Sequence, residues 1–253
     1  MISSRFLNKN VLITGAGTGM GRATALRLAA EGAKLALIGR RDRPLMEVAA
    51  EVESLGAQAL PISCDITNPE SFSKSMEVIA ESFGHLNGVF ANAGVLGEFY
   101  PISATPLDKV DSLVTTNLKG TLITIQQTLP LISSGSIVIN ASWTASAVMP
   151  GTGIYAATKG ALLSLMKTLA IEQGQSNIRV NAVSPGIILT PMADAVLEPE
   201  LSRKLANQTA LKRNGTPDDV SGTIAWLLSE DAAFVTGQEI VIDGGYTIGG
   251  IRL

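Results

Sequence analysis

The sequence predicts a doubly wound α/β fold, in which a seven-stranded parallel sheet carries helices on both faces. Short β-type runs alternate with longer helical patterns from one end of the 253-residue chain to the other. Most of the short runs are continuously apolar rather than alternating, as strands covered on both faces must be. Because parallel neighbours require long right-handed crossovers, this alternation predicts one doubly wound domain over residues 1–253.

Seven strands are predicted, and they share a short, mostly apolar character: Val11–Thr14, Lys34–Ile38, Gln58–Ile62, Gly88–Ala91, Ser136–Ala141, Arg179–Val183 and Glu239–Ile242. The helical patterns lie near 20–31, 43–55, 69–83, 106–129, 154–173 and 217–229. The third and the last helix follow the start signals Thr67-Asn68-Pro69 and Thr216-Pro217. In both signals Pro occupies a first-turn position, where a missing N–H costs nothing.

Composition excludes several classes of protein. The 19 Lys and Arg against 22 Asp and Glu give a formal net charge of −3, too little positive charge for a nucleic-acid or anionic-membrane surface. The low charge and the mean hydropathy of +0.30 exclude disorder. Cys64 and His85 are the only residues of their types, which excludes an internal disulfide and a multi-His metal site. We expect a soluble, cytoplasmic protein without a metal site, a membrane span or a nucleic-acid partner.

A glycine-rich turn follows the first strand and leads into a helical pattern. Its sequence, Thr14-Gly15-Ala16-Gly17-Thr18-Gly19-Met20-Gly21, fits T-G-x-x-x-G-x-G, whereas it fits neither G-x-G-x-x-G nor a P-loop. Glycines let the backbone approach a pyrophosphate, whose charge is met by the N–H groups at the start of the helix. The turn predicts a Rossmann-type dinucleotide site, with a plain strand-to-helix turn as the alternative.

The end of the second strand indicates which dinucleotide is bound. NAD-binding proteins place an acid here, whereas this strand runs into Arg40 and Arg41. A guanidinium pairs bidentately with phosphate oxygens, so the two arginines favour the 2′-phosphate of NADP. In the alternative, Arg40 and Arg41 form a solvated turn, Asp42 reaches back to the ribose, and the cofactor is NAD.

Four polar residues form a candidate catalytic set. Tyr155 and Lys159 are four residues apart in a helical pattern and therefore share one face. An ammonium lowers the pKa of a neighbouring phenol from about 10, so that the phenol can exchange a proton with a carbonyl or an alcohol. Ser142, at the end of the fifth strand, is placed to hydrogen-bond the substrate oxygen. Asn117 lies in the preceding helical pattern among apolar residues, where its amide needs a partner.

With these residues the chain resembles the short-chain dehydrogenase/reductase family in its single-domain form, including the 3-oxoacyl-carrier-protein reductase-like members. The resemblance extends over essentially the whole chain and rests on an ordered set of motifs: Thr14–Gly21, Asp65-Ile66, Asn92-Ala93-Gly94, Asn117, Ser142, Tyr155-x-x-x-Lys159, Pro185-Gly186 and Thr190. One Tyr-x-x-x-Lys arises often by chance, but the ordered set is highly specific.

The resemblance implies a role for each catalytic residue. Tyr155 would be the acid/base, and Ser142 would polarise the carbonyl. Lys159 would bind the nicotinamide ribose and lower the pKa of Tyr155, and Asn117 would hold a water in a proton relay. Together with Arg40 and Arg41, the expected cofactor-binding residues are Gly15, Thr18, Gly19, Met20, Gly21, Asp65, Ile66, Asn92, Ala93, Gly94, Tyr155, Lys159, Pro185, Gly186, Ile188 and Thr190.

Substrate contacts are expected from the segments Val95–Tyr100 and Trp143–Gly153 and from an apolar lid over about residues 187–210. The individual residues predicted to touch the substrate are Trp143, Met149 and Met192. A mostly apolar pocket with two polar points favours a neutral ketone or secondary alcohol.

Charged residues near these segments leave a second type of substrate open. Glu98 and Asp194 would disfavour an anion if they face inward. An acyl chain on a carrier is the alternative, with the carrier's acids met at the rim by one or more cations: Arg203, Lys204, Lys212 or Arg213.

The helical pattern Ile154–Gln173 is apolar on most of its circumference, which predicts contact with a second subunit. The family resemblance likewise implies a homotetramer or a homodimer. The apolar end of the chain, residues 244–253, is expected to help close a neighbouring site.

The leading functional prediction is an NADP-dependent oxidoreductase that interconverts a ketone and a secondary alcohol, with NAD as a possible cofactor. A catalytically silent cofactor-binding sensor or scaffold is the alternative, although four coordinated polar groups argue against it. An epimerase or dehydratase is less favoured, because the longer substrate domain found in such relatives is missing.

Overall fold

The computed structural model describes residues 4–194 and 196–248 and contains a seven-stranded, wholly parallel sheet. Its strands run in the order β3-β2-β1-β4-β5-β6-β7, as a doubly wound sheet requires. They are Asn10–Thr14 (β1), Lys34–Gly39 (β2), Ala59–Ser63 (β3), Gly88–Ala91 (β4), Gly135–Asn140 (β5), Ile178–Pro185 (β6) and Glu239–Ile242 (β7). The predicted fold class is therefore confirmed, and each strand boundary lies within two residues of its prediction.

Helices cover both faces of the sheet. They are Gly19–Ala30 (α1), Asp42–Ser54 (α2), Pro69–Phe83 (α3), Leu107–Leu113 (α4), Gly120–Thr128 (α5), Gly153–Gln173 (α6), Pro191–Asp194 (α7), Pro199–Gln208 (α8) and Pro217–Leu228 (α9). Helices α1, α2 and α9 pack on one face, and α3, α5 and α6 pack on the other. Successive strand residues enter opposite cores: Leu12 packs in one and Ile13 in the other. This two-sided burial explains the continuous apolar runs in the sequence.

Both predicted helix start signals are confirmed. The Asn68 side chain accepts a hydrogen bond of 3.0 Å from the backbone N–H of Ser71 and caps α3. Thr216 and Asp219 form a reciprocal capping box at the start of α9. Each side chain satisfies an N–H group that has no partner within the helix.

The predicted helix 106–129 is interrupted, and this is the main local difference from the sequence prediction. Between α4 and α5 the chain makes a π-helical turn over Val114–Lys119, which places Asn117 inward and fully buried. Such turns insert one residue into a helix and often mark functional sites. Helix α8 was also not predicted, because it is largely polar and buries only Leu205.

In the described part of the chain, one helix is long and apolar enough to cross a membrane, by length and composition alone. It is α6 together with the short helical turn that follows it, Gly153–Ser176. This is weak evidence against the expectation of a protein without a membrane span. However, α6 packs against β6, and its inner face buries Leu162 and Met166 in the core. That position is typical of a central helix in an α/β domain, which passes the same test.

Candidate active site

A cavity of about 520 Å³ lies at the carboxyl edge of the sheet. Residues at or directly after the ends of β1 to β6 line it, and the lid segment covers one side. Ligands of doubly wound sheets bind at this edge, where the strand order reverses. Its size is ordinary for a cofactor site. Glycines and arginines line one end of the cavity, and Ser142, Tyr155 and Lys159 line the other.

The glycine turn between β1 and α1 has the close backbone approach that its sequence predicted. Gly15 adopts φ +67° and Gly19 adopts φ +54°, which residues with a side chain rarely do. A Cβ at Gly21 would lie 2.2 Å from the Gly15 carbonyl oxygen, so no side chain fits there. The first turn of α1 contains no acidic residue that would repel a pyrophosphate. These features fit a dinucleotide, with Thr18 and Met20 also lining the cavity.

Arg40 and Arg41 follow β2 at the outer end of the cavity and line it, as predicted. Both side chains are exposed, and within residues 4–194 and 196–248 neither forms an ion pair. Asp42 begins α2 and is absent from the described lining of the cavity. The two guanidinium groups are therefore available to an anion. The alternative, in which Asp42 binds the ribose, stays open.

Asp65 and Ile66 border the same end of the cavity, after β3. One carboxylate oxygen of Asp65 accepts hydrogen bonds of 2.9 Å from both the N–H and the hydroxyl of Thr67, which fixes the turn. Ile66 is buried and lies against Gly120, where a Cβ would come within 2.7 Å of it. Both residues line the cavity, and their expected contact with the cofactor stays a prediction.

Three polar residues from neighbouring strands are joined under the cavity. The Thr14 hydroxyl accepts the N–H groups of Asn92 (3.0 Å) and Ala93 (3.1 Å). The Asn92 amide donates to the Thr14 carbonyl at 2.9 Å and accepts from the Asn140 amide at 2.9 Å. Sequence reasoning named Asn92, Ala93 and Gly94 but missed Asn140, whose only signal was a polar side chain at the end of an apolar strand.

Tyr155 and Lys159 lie in the first turns of α6 and face Ser142, as the spacing predicted. The Lys159 ammonium donates a 2.6 Å hydrogen bond to the Asn140 carbonyl and lies 5.7 Å from the Tyr155 ring centroid. The Ser142 oxygen accepts from the Thr144 N–H (3.2 Å) and hydroxyl (2.9 Å). Because its acceptor sites are used in this way, the Ser142 hydroxyl keeps its own proton to donate.

Burial is the largest influence on the ionisation of Tyr155 and Lys159. Burial raises the pKa of Tyr155, and the hydrogen bond with Ser142 lowers it by less. Burial lowers the pKa of Lys159 to about 8. The Lys159 ammonium is directed to the Asn140 carbonyl, and the loss of hydration is the largest cause of the shift in both groups. The implied lowering of the Tyr155 pKa by Lys159 stays a prediction.

The buried amide of Asn117 is hydrogen-bonded to the backbone of Val95. Its amide oxygen accepts the Val95 N–H at 2.8 Å, and its amide nitrogen donates to the Val95 carbonyl at 2.8 Å. A Cβ at Gly94 would lie 3.1 Å from that amide oxygen and 3.6 Å from the Lys159 nitrogen. Asn117 thus fastens the loop after β4 beside Lys159, and its implied role in holding a water stays a prediction.

The segment after β6 forms the opposite wall of the cavity and brings together the residues predicted there: Pro185, Gly186, Ile188 and Thr190. The Gly186 N–H donates to the Ile242 carbonyl at 2.8 Å, which ties the segment to β7. A Cβ at Gly19 would lie 3.2 Å from the Thr190 methyl carbon. The glycine turn and this wall therefore approach each other closely across the groove.

The substrate end of the cavity is lined by the three predicted residues Trp143, Met149 and Met192. Trp143 is buried, whereas Met192 is 44% exposed in α7, at the start of the lid. Within the lid, residue 195 lies outside the described residues. So do residues 249–253, which were expected to help close a neighbouring site.

Glu98 and Asp194, the two acidic residues considered for the substrate end, do not line the cavity in the described part of the chain. Glu98 is bonded to the Lys109 ammonium (2.6 Å) and the Tyr100 hydroxyl (2.5 Å) on the surface. Neither Glu98 nor Asp194 is among the described residues that line the cavity. The condition under which they would disfavour an anionic substrate is therefore not met.

Comparisons with known proteins agree with this site. A family model described as enoyl-(acyl carrier protein) reductase matches residues 15–247. Levodione reductase of Leifsonia aquatica is 35% identical, over 96% of this chain and 96% of its own. The 7alpha-hydroxysteroid dehydrogenase of Bacteroides fragilis is 34% identical, over 97% and 96% of the two chains.

Solved structures have the same architecture over almost the whole chain. A short-chain type dehydrogenase/reductase from Mycobacterium marinum superposes with a TM-score of 0.92 at 31% identity, covering 96% and 97% of the two chains. NAD+-bound xylitol dehydrogenase has a TM-score of 0.90 at 31% identity, covering 95% and 99%. A Burkholderia cenocepacia short chain dehydrogenase in complex with NADP has a TM-score of 0.90 at 30% identity, covering 96% and 99%.

With its sheet order, glycine turn and Ser142-Tyr155-Lys159 group, and with these matches, the chain belongs to the short-chain dehydrogenase/reductase family. It is an NAD(P)-dependent oxidoreductase of that family.

Proposed function

We propose that this protein is an NADP-dependent oxidoreductase that interconverts a neutral ketone and a secondary alcohol. The observation that carries the proposal is the placement of Tyr155 and Ser142 together at the inner end of a cavity whose outer end is bordered by Arg40 and Arg41. When bound, the nicotinamide supplies or accepts the hydride. The names of the relatives, levodione reductase and 7alpha-hydroxysteroid dehydrogenase, agree with carbonyl and alcohol substrates.

Different residues of the protein orient the substrate and transfer the proton. Ser142, whose hydroxyl is hydrogen-bonded to Tyr155, turns its proton to the substrate oxygen and fixes that oxygen beside Tyr155. The phenol of Tyr155, whose pKa is raised by burial, is protonated at neutral pH and gives its proton to a carbonyl oxygen during reduction. Lys159, held by the Asn140 carbonyl, keeps a cation next to the phenol as its proton leaves. In the oxidative direction Tyr155 takes the proton from the alcohol.

The preference for NADP rests on the two arginines. Arg40 and Arg41 border the cavity, and no carboxylate of a described residue pairs with either guanidinium. A 2′-phosphate is bound well by such a pair, because a planar guanidinium offers two parallel N–H donors. NAD has a hydroxyl at this position instead of a phosphate, so with NAD bound these N–H groups would be hydrogen-bonded by water.

Replacing Arg40 with Ala is expected to reduce the preference for NADPH over NADH about ten- to hundredfold, since a hydrogen bond to a charged group contributes about 1.5–3 kcal/mol. The measurement is the ratio of kcat/KM for the two cofactors. Arg43→Ala is the matched control, because Arg43 is 90% exposed and paired with Glu47. The preference for NADP is refuted if neither Arg40→Ala nor the double variant with Arg41→Ala changes this ratio.

A free small molecule is favoured over an acyl chain on a carrier. Three of the four cations expected to meet a carrier already have partners: Lys204 pairs with Glu200, Lys212 donates to the Asn207 carbonyl, and Arg213 forms a two-point ion pair with Asp219. Breaking such pairs would offset the attraction to a carrier's acids. The lining around Trp143, Met149 and Met192 instead suits an uncharged, apolar substrate.

The function is tested by following nicotinamide absorbance with a panel of cyclic, aromatic, aliphatic and acyl-thioester ketones, with NADPH and NADH in parallel. We expect turnover of free ketones with NADPH. Tight NADPH binding without turnover of any ketone would contradict the proposal and favour the sensor. Carrier-bound ketones that react far better than free ones would overturn the proposed substrate class.

We also infer a homodimer or homotetramer and a cytoplasmic location. Helix α6 exposes a row of small and apolar residues at positions Ala157, Ser164, Thr168 and Ile171, which is expected to meet a second copy. A single cysteine, buried and unpaired, agrees with a reducing compartment. Light scattering at micromolar concentration is expected to give the mass of a dimer or tetramer, and a 26.3 kDa particle would refute the oligomer.

A further inference from the structure

Trp143 and Tyr246 pack against each other at the substrate end of the cavity. Their ring centroids are 4.9 Å apart, and their planes meet at 70°, which is an edge-to-face arrangement. Trp143 lines the cavity and is 7% exposed. Tyr246 is not among the described residues that line it, so its contact with the cavity wall is made through the Trp143 ring.

The turn that carries Tyr246 is firmly held. The Asp243 carboxylate accepts hydrogen bonds from the Gly245 N–H (2.8 Å), the Thr247 N–H (2.8 Å) and the Thr247 hydroxyl (2.7 Å). The Tyr246 N–H donates to the Asp243 carbonyl at 3.2 Å. The backbone under Tyr246 therefore has little freedom to move the ring away from Trp143.

The same turn touches two other parts of the site. The Leu211 N–H, shortly after α8 of the lid, donates to the Gly244 carbonyl at 3.1 Å. A Cβ at Gly186 would lie 2.7 Å from Asp243 Cα, so the turn also abuts the cofactor wall. Trp143 is thus supported from behind by a structure that is anchored to the lid and to the cofactor groove.

We propose that Tyr246 is a positioning residue that sets substrate selectivity through Trp143. With the Tyr246 ring in place, Trp143 forms a fixed wall beside Ser142 and limits the size of the group attached to the reacting carbonyl. Ketones with a small group beside the carbonyl are therefore expected to react better than those with a bulky one. This inference rests on the proposed function, because it requires the carbonyl to lie at Ser142 and Tyr155.

The test compares cyclohexanone with the bicyclic 2-decalone in the wild type, Tyr246→Ala and Tyr246→Phe. The ratio of the two kcat/KM values within one protein does not depend on how much of it is folded. Loss of one aromatic contact is expected to shift this ratio about fivefold toward 2-decalone in Tyr246→Ala. Tyr246→Phe keeps the ring and is expected to remain within about twofold of the wild type.

A second readout follows the Trp143 ring itself. In a Trp226→Phe background Trp143 is the only tryptophan, because the chain has two. Tyr246→Ala is expected to make its fluorescence more accessible to acrylamide, and Tyr246→Phe is expected to leave it unchanged.

The possible outcomes distinguish a failure of this inference from a failure of the proposed function. If the wild type reduces ketones but Tyr246→Ala leaves the ratio unchanged, only the inference is overturned. Equal shifts in Tyr246→Ala and Tyr246→Phe would also overturn it, because they would assign the effect to the hydroxyl rather than to ring packing. If the wild type reduces no ketone, the proposed function is contradicted, and so is the inference that depends on it.

Discussion

Tyr155→Phe is expected to lower kcat for ketone reduction by about 10²–10⁴-fold, the usual contribution of a positioned proton donor. The variant removes one hydroxyl and keeps the ring, so the buried wall between Ser142 and Lys159 is preserved. Cofactor affinity and the unfolding temperature are therefore expected to stay close to those of the wild type. Steady-state rates, NADPH titration and thermal unfolding measure the three quantities.

The two directions of the reaction are expected to differ in their pH dependence. Burial raises the pKa of Tyr155, so the protonated phenol needed for reduction persists through neutral pH. Reduction is expected to fall only at alkaline pH, whereas alcohol oxidation is expected to rise as the phenol ionises. A Tyr155→Phe enzyme that keeps more than about a tenth of the wild-type rate would remove Tyr155 from its proposed role.

Lys159→Met is expected to cost most of the activity and to change the pH dependence of stability. Lys159 is 4% exposed, and burial lowers its pKa to about 8. In the unfolded chain its pKa is about 10.4, so between these values the unfolded state binds more protons than the folded state. The stability of the wild type should therefore rise with pH through this window, relative to the variant.

The sign of this effect makes the prediction specific. Below about pH 8 the ammonium is charged in both states, and the cost of burying it is fully present. Above about pH 10.4 it is neutral in both states, and the cost disappears. The free energy of unfolding of Lys159→Met minus that of the wild type is expected to shrink by up to about 3 kcal/mol across the window. Denaturant titrations at about pH 7 and about pH 10 measure it.

A constant difference across this range would show that Lys159 is not buried as a cation. Lys167→Met is a suitable control, because Lys167 lies on the exposed side of the same helix. Its stability relative to the wild type is expected to be nearly independent of pH.

Much of the fold could be predicted because it depends on local patterns. Continuous apolar runs locate buried parallel strands, and the Pro and Asn signals mark the starts of α3 and α9. The catalytic positions could be predicted because Tyr155 and Lys159 share one helix face and Ser142 ends a strand. In each case the evidence lies within a few residues of sequence.

The remaining features depend on contacts between distant segments. The π-helical turn at Asn117 is stabilised by hydrogen bonds with Val95, 22 residues away, and no propensity specifies it. The Lys159 ammonium donates to the Asn140 carbonyl, and burial raises the pKa of Tyr155; both depend on how distant segments pack. The contact between Trp143 and Tyr246 likewise joins segments that only the folded sheet brings together.

The most direct test of the central claim is to follow the hydride itself. Purified protein is incubated with NADPH deuterated at the transferable nicotinamide position and with a ketone that it reduces, and the alcohol is analysed by mass spectrometry. The proposed function predicts one deuterium at the carbinol carbon in the wild type and only trace product with Tyr155→Phe. An alcohol without deuterium, or equal yields from both proteins, would contradict hydride transfer coupled to a proton from Tyr155.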